Sequence, residues 1–285
     1  MPTATITMTD PQFEKLRKII YERSGICFQA NKKYVLESRL AQRLFELEID
    51  DYDQYASFLT IGPYKDDEFQ EMFNRITINE TSFFRNEPQL DIFESKVLPA
   101  VIEARASTKR LRLWSAACSS GEEPYTLAIM VQRTLGIRLL DWRVEILGTD
   151  ISEKVLNAAQ QGRYSNYAVR NTNPMVVKKY FTDKQGSYQL NDDIRSMVTF
   201  ELHNLRDAAR IRRHGLFDVI FCRNVMIYFD DDMKQRCLSL FESMLAPDGH
   251  LFIGHSETLR GLQTRLHPSP VPQAFCYHKR ALSNL

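Results

Sequence analysis

Four segments of this chain set polar or charged side chains against small or apolar residues in ways that suit chemistry on a bound ligand. The first, ITINETSFFRNEPQL, carries Asn79, Thr81 and Arg85 beside Phe83 and Phe84. It reads either as a site segment or as an inter-domain connection with two packed phenylalanines. The second, LRLWSAACSSGEEPYTLAIM, runs a strand from Leu111 to Trp114 into a loop of small residues and a helix starting near Pro124. Small residues let a backbone approach a ligand closely, and in open α/β sheets ligands lie beyond the carboxyl ends of the strands. Only Gly121 of the usual glycine fingerprint is present, so a plain tight turn stays open. The third, VEILGTDIS, ends an apolar strand in Asp150, whose two oxygens can accept both hydroxyls of a ribose. The same carboxylate can instead cap the next helix, with Ser152 as a rival cap. The fourth, FDVIFCRNVMIYF, sets Arg223, Asn224 and Tyr228 just past the strand Phe217 to Phe221. Polar groups there face a ligand crevice, although Tyr228 reads equally well as a packed aromatic. A first-loop glycine and a second-strand acid do not separate NAD enzymes from methyltransferases.

The elements that must hold these segments fall into two styles. Near the N-terminus, Asp10 and Pro11 read as a helix start, Phe13, Leu16, Ile19 and Ile20 as its stripe, and Gly25 as its stop. Asn31 opens a second helix with Leu36, Leu40, Leu44 and Leu47 on one face. The 3.6-residue period puts Lys32, Arg39 and Arg43 near the opposite face, which is expected to be basic and outward. Patterns around Tyr52 to Leu59 and Phe69 to Ile76 complete an all-helical domain over residues 1–80, followed by a linker over 81–100 that is expected to contribute to the cofactor site. From residue 101 to 285, short apolar runs alternate with amphipathic stretches, as the βα units of a mostly parallel sheet require. Between about 163 and 203, NPMVVKKYF, the polar turn TDKQGS, YQL and MVTFEL read as an insertion with a short helix and a small antiparallel excursion.

Composition narrows the class. The 285 residues are 44% hydrophobic and 26% charged, enough for a substantial core. No apolar run approaches the roughly 20 residues of a membrane helix, and MPTATITMTD lacks a signal-peptide layout. Five scattered cysteines, with no CxxC pair, fit a reduced cytoplasm and suggest no metal. A net charge of +1 argues against nucleic acid as a partner. His203, His214, His250, His255, His267 and His278 receive no chemical role and are expected to be structural or solvated.

With NETSFFR, SSGEEPY, GTDIS, FCRNVMIYF and LFIGHSE in this order, the chain resembles the chemotaxis receptor methyltransferase (CheR) family over about residues 10 to 280. The resemblance implies a Rossmann-like class I methyltransferase sheet with a small antiparallel β insertion, preceded by a small all-helical domain. It implies methyl transfer from S-adenosylmethionine, without a metal, to glutamates on the helical cytoplasmic domain of methyl-accepting chemotaxis receptors. The products would be glutamyl methyl esters and S-adenosylhomocysteine. By the same resemblance Asn79, Thr81 and Arg85 reach over the cofactor, Glu122 meets its amino-acid end and Asp150 its ribose. Asn204 and Leu205 would flank the adenine, Arg223 and Asn224 form the cofactor and active-site pair, and Tyr228 stands near the transferring methyl. Arg85, Arg223 and Tyr228 are thus the expected catalytic residues, and Lys32, Arg39 and Arg43 the expected receptor-docking face. One departure, a short loop around Asp183 to Asp193, puts tethering to a receptor's C-terminal pentapeptide in doubt. A monomer is expected. Two rival readings are a non-catalytic cofactor-binding adaptor and a methyltransferase acting on a small molecule or nucleic acid.

Overall fold

The computed structural model describes residues 6–279. Four helices come first: α1 (Asp10–Ser24), α2 (Lys33–Glu46), α3 (Tyr52–Thr60) and α4 (Lys65–Ile76). Thr9, not Asp10, caps α1: its side chain accepts from the Gln12 amide while Gln12 reaches back to the Thr9 amide, a reciprocal capping box. Asp10 is the first helical residue, and Gly25 ends the helix at φ 78°. Leu36, Leu40 and Leu44 point inward, as their spacing requires, and meet Leu16, Ile20, Tyr52, Tyr55 and Met72 in a core of their own.

The remaining elements are α5 (Glu87–Ile92), α6 (Leu98–Ala104), β1 (Arg110–Ala116), α7 (Glu122–Leu135), β2 (Arg143–Asp150) and α8 (Glu153–Gln161). They continue with β3 (Arg163–Ser165), α9 (Pro174–Tyr180), β4 (Phe181–Asp183), β5 (Ser187–Leu190), α10 (Asp192–Arg195), β6 (Val198–Leu202) and α11 (Ala208–Arg212). Last come β7 (Phe217–Cys222), α12 (Asp231–Met244), β8 (Leu245–Ile253), β9 (Leu266–Pro268) and β10 (Cys276–Lys279). Seven strands form one sheet in the order β6-β2-β1-β7-β8-β10-β9. β6, β2, β1, β7 and β8 run parallel, and β10 is antiparallel to both its neighbours. The order reverses between β1 and β7, the switch point where open α/β sheets bind ligands. Separate apolar clusters cover the two faces: Phe93, Tyr125, Phe221 and Phe252 belong to one, Trp114, Phe217, Phe241 and Leu251 to the other.

The insertion is narrower than its pattern suggested. Its antiparallel sheet, in the order β3-β5-β4, closes by Leu190, whereas Val198–Leu202 pairs in parallel with β2 as the edge of the main sheet. Gly148 explains part of that pairing: a Cβ there would lie 2.8 Å from the Phe200 ring, so glycine leaves room for the neighbouring strand's aromatic side chain. The 81–100 stretch is likewise more than a connection. The Phe93 ring packs edge-on to Phe221 and Phe252, and Gln89 Nε2 donates to the carbonyls of Ile253 and Ala274.

Candidate functional site

A cavity of about 390 Å³ opens beyond the C-terminal ends of β6, β2, β1 and β7. The helical domain forms one wall of it through Cys27, Phe28, Lys32 and Arg39. The segment after α1 lines the cavity and is fastened to the sheet domain. Its Cys27 amide donates to Tyr228 O at 2.8 Å, Ile26 bridges Phe229, and Arg23 O accepts from Asn204 Nδ2 at 2.6 Å. Gly25 makes this course possible, because φ is +78° and a Cβ would meet Met233 Sδ at 2.5 Å. From the other side, α4 reaches the sheet: Gln70 donates to Ile151 O, and Asn74 Oδ1 accepts from Ser152 Oγ and the Lys154 amide. The side chain capping α8 therefore comes from the helical domain, while Ser152 binds the capping residue.

At the β2 end, Asp150 is buried, and its carboxylate is held by backbone. Oδ2 accepts from the Ser119 amide at 2.8 Å and Oδ1 from the Ser152 amide at 3.0 Å. Burial raises its pKa, and those amides oppose the rise. Four lone-pair sites exceed the bonds from the Ser119, Ile151 and Ser152 amides, so the carboxylate keeps acceptor capacity. One strand over, the His203 amide donates to Asp150 O at 2.8 Å, and His203, Asn204 and Leu205 follow β6 along the wall. Asn79 O accepts from Ser119 Oγ, joining the NETSFFR segment to the loop after β1.

At the β7 end, the Arg223 side chain is 4% exposed. It donates to Glu123 Oε2 at 3.1 Å and to Arg85 O, while its Nε has no hydrogen-bond partner among the described residues. Burial lowers its pKa, and Glu123 opposes that. Glu123 also accepts from Ser115 Oγ at 2.7 Å, so one carboxylate links β1 to the tip of β7. Asn224 sits at φ 61°, a left-handed turn that asparagine tolerates. The turn is held by Glu257, buried in the GHSE segment, whose oxygens accept from the amides of Asn224, Val225 and Gly254. Tyr228 follows, half-buried. Burial raises its phenol pKa, and the charges of Arg39 and Arg85 pull against that rise.

Asn79, Thr81, Arg85, Asp150, Asn204, Leu205, Arg223, Asn224 and Tyr228 therefore meet around one cavity, and Lys32 and Arg39 join them from the helical domain. Glu122 does not line it. Gly121 turns the chain at φ 91° into α7, so successive residues point about 100° apart. Glu122 goes inward to Ser120 Oγ and Glu123 takes the cavity side, a phase that the doubled acid in SSGEEPY left open. Arg43 also departs from the expected outward face. Its guanidinium binds Glu68, whose side chain is 2% exposed and also accepts from Tyr55 Oη, and it reaches Glu46 as well. Arg39 turns to the carbonyls of Ile76 and Thr77 at the end of α4, leaving Lys32 as the exposed member of the three. Among the described residues, no group of three or more His, Cys, Asp or Glu is arranged to hold a metal, and no helix is long and apolar enough to cross a membrane.

Comparison with known proteins gives two adjoining family matches. "CheR methyltransferase, all-alpha domain" covers residues 11–77, and "CheR methyltransferase, SAM binding domain" covers residues 79–275. "Chemotaxis protein methyltransferase 2" of Vibrio cholerae is 36% identical over 276 residues, 96% of this chain and 94% of that protein. The "Chemotaxis protein methyltransferase" of Borreliella burgdorferi is 37% identical over 259 residues, covering 90% and 91%. That of Escherichia coli is 35% identical over 268 residues, covering 92% and 90%. With both of its domains matched in order and relatives similar along nearly their whole length, the chain belongs to the CheR methyltransferase family.

Proposed function

We propose that this protein transfers a methyl group from S-adenosylmethionine to glutamate side chains on the cytoplasmic helices of chemoreceptors, forming methyl esters. The observation that carries the reading is the setting of Tyr228, where the charges of Arg85 of the NETSFFR segment and Arg39 of the helical domain converge, with Lys32 lining the same cavity. Three features fit the cofactor to the cavity. Its volume falls in the range of about 300–1,000 Å³ usual for small-ligand sites. Asp150 keeps acceptor capacity for a ribose, and Arg223 stands on the cavity wall fixed by Glu123.

When bound, the cofactor supplies a methyl group made electrophilic by its sulfonium. A glutamate side chain, with an ordinary pKa near 4.3, is already ionised at neutral pH and needs no base. The protein's task is alignment and exclusion of water. Arg85 holds the incoming carboxylate, for which its planar fork is suited. Tyr228 keeps its proton, since burial raises its pKa, and its hydroxyl positions the methyl end. Arg223, fixed by Glu123, orders the amino-acid end, and the segment at Ile26 and Cys27 walls the cavity.

Receptor contact is assigned to Lys32, since Arg43 is bound to Glu68 and Arg39 to the carbonyls of Ile76 and Thr77. The short turn between β4 and β5, residues 184–186, supports engagement through the helical domain without a receptor tail peptide. We read the protein as a cytoplasmic monomer. The test is transfer of radiolabelled methyl to a purified receptor cytoplasmic fragment, with alkali-labile counts reporting an ester. Counts stable to alkali, or no transfer to several receptors despite tight cofactor binding, would overturn the reading. Normal turnover by both Arg85→Ala and Tyr228→Phe at saturating substrates would remove those two roles.

A further inference from the structure

Two large apolar side chains line the cavity while half-exposed, Ile78 at 52% and Ile227 at 50%. Ser119, Asp150 and Arg223 line it at 9%, 6% and 8%, so the isoleucines stand at its open side. Local geometry sends them there. Met226, Ile227 and Tyr228 make one 3₁₀ turn, in which successive side chains point about 120° apart. Met226 enters the core, Tyr228 is half-buried, and Ile227 takes the third, outward direction. Ile78 follows α4 in extended chain, Thr77 having ψ 147°. Its side chain therefore leaves opposite to those of Thr77 and Asn79, which bond each other. Single exposed isoleucines are ordinary on a surface. Here two from distant segments border one cavity, each next in sequence to a residue of the proposed site.

The short reach of a glutamate decides what covers them. Its carboxyl carbon is only three carbon–carbon bonds of about 1.5 Å from Cα, whereas a helix with its side chains is about 10–12 Å across. A helical glutamate reaches Tyr228 only if the helix surface itself seats on the open side of the cavity. Residues three and four positions away, about 5–6 Å from the glutamate, come with it. Nearby charges are engaged elsewhere: Arg39 donates to the carbonyls of Ile76 and Thr77, and Glu80 meets Tyr167 Oη and Arg170. We propose that Ile78 and Ile227 form an apolar seat for the substrate helix and select among its glutamates, favouring those with apolar residues three and four positions away. The proposal rests on the reading of the substrate as a receptor helix. Covering the exposed half of an isoleucine stabilises the complex in proportion to the apolar area removed from water, and a polar neighbour forfeits that gain. Arg85 answers to the carboxylate, and the isoleucines answer to what flanks it.

The test is kinetic, with the full chain, a receptor cytoplasmic fragment and labelled S-adenosylmethionine. Ile78→Ser and Ile227→Ser should each lower kcat/KM for the fragment about fivefold, and the double variant about 10- to 50-fold. Affinity for S-adenosylhomocysteine should be retained. Ile78→Leu and Ile227→Leu keep the apolar area and should stay near wild type. The loss should persist at about 0.5 M salt, where charge steering is screened out. On the substrate side, glutamine, which keeps helix propensity, replaces apolar residues three and four positions from one modified glutamate. The wild type should modify that site about tenfold more slowly, and the double variant should lose less from the same change. Unchanged kcat/KM in the double variant, or equal losses from the glutamine changes in wild type and double variant, overturns the proposal. If the double variant does not fold, the wild type decides: undiminished modification of the glutamine-flanked site overturns it. Failure of the wild type to methylate any receptor fragment instead removes the substrate reading.

Discussion

The two ends of the cavity are built by different means. At the β2 and β6 end, the one carboxylate is held by backbone amides and the neighbouring imidazole is uncharged. At the β7 end, Arg223 is paired with Glu123, while Glu257, held like Asp150 by backbone amides, gathers three of them beneath the turn that carries Asn224. Backbone donors suit a neutral nucleoside, which needs shape and a few hydrogen bonds. Paired charges in a buried place suit an end where cations and anions must be fixed before a substrate carboxylate arrives. The half in which opposite charges are paired is thus the half nearest the proposed chemistry.

Breaking the charged end should have the largest effect. Arg223→Met leaves Glu123 and Arg85 O without their buried donor. Removing one member of a buried pair costs about 3–5 kcal/mol, and activity should fall below detection. Urea unfolding checks the stability, and a cycle with Glu123→Gln should give strong coupling. Additive losses would mean that the two side chains do not work as a unit. Glu257→Gln comes next. An amide has one carbonyl oxygen and turns a donor toward amides that also donate, so about 2 kcal/mol should be lost. Because the Asn224 turn loosens, kcat should drop more than cofactor affinity. An unchanged kcat would separate that turn from catalysis.

How much of this division could be read in the chain depends on the distance between partners. NETSFFR, GTDIS and FCRNVMIYF each carry their polar residues next to the strand or turn that positions them; local pattern left a structural role open for each, and the family resemblance pointed to the cavity. Glu122 and Glu123 are adjacent and chemically identical, and only the phase of α7 after Gly121 distinguishes them. The helical period put Arg43 opposite the leucines, but its partner Glu68 lies on another helix, so the period could not tell a solvated face from a packed one. VTFEL has the alternation of an edge strand in either sheet, and its place beside β2 follows from tertiary pairing.

At the other end of the cavity, Asp150→Asn should weaken S-adenosylhomocysteine by about 10- to 100-fold, through loss of a charged acceptor. Burial raises the Asp150 pKa above its unfolded value. In the ligand-free protein this group therefore favours folding at pH below the unfolded pKa, and that contribution is lost as pH rises through the folded one. Ligand binding runs the opposite way, because the ionised form accepts the ribose hydroxyls. Affinity measured from pH 7 downward should fall as Asp150 protonates, and should be flat in Asp150→Asn. An identical pH profile in both proteins would assign the titration elsewhere.

The smallest effect is expected at the rim, where Lys32 is exposed. A surface charge acts on encounter more than on the chemical step, and salt screens it with a Debye length of about 10 Å at 0.1 M. Lys32→Glu should therefore raise the KM for receptor fragment a few-fold in low salt, leave kcat and cofactor affinity unchanged, and lose its effect near 0.5 M salt. Arg43→Glu provides the contrast, because it sets a second carboxylate against buried Glu68 and should show as lost stability. If Lys32→Glu changes kcat, or its effect on KM survives high salt, the rim is part of the catalytic arrangement and the line between the steering surface and the fixed charges of the β7 end must be redrawn.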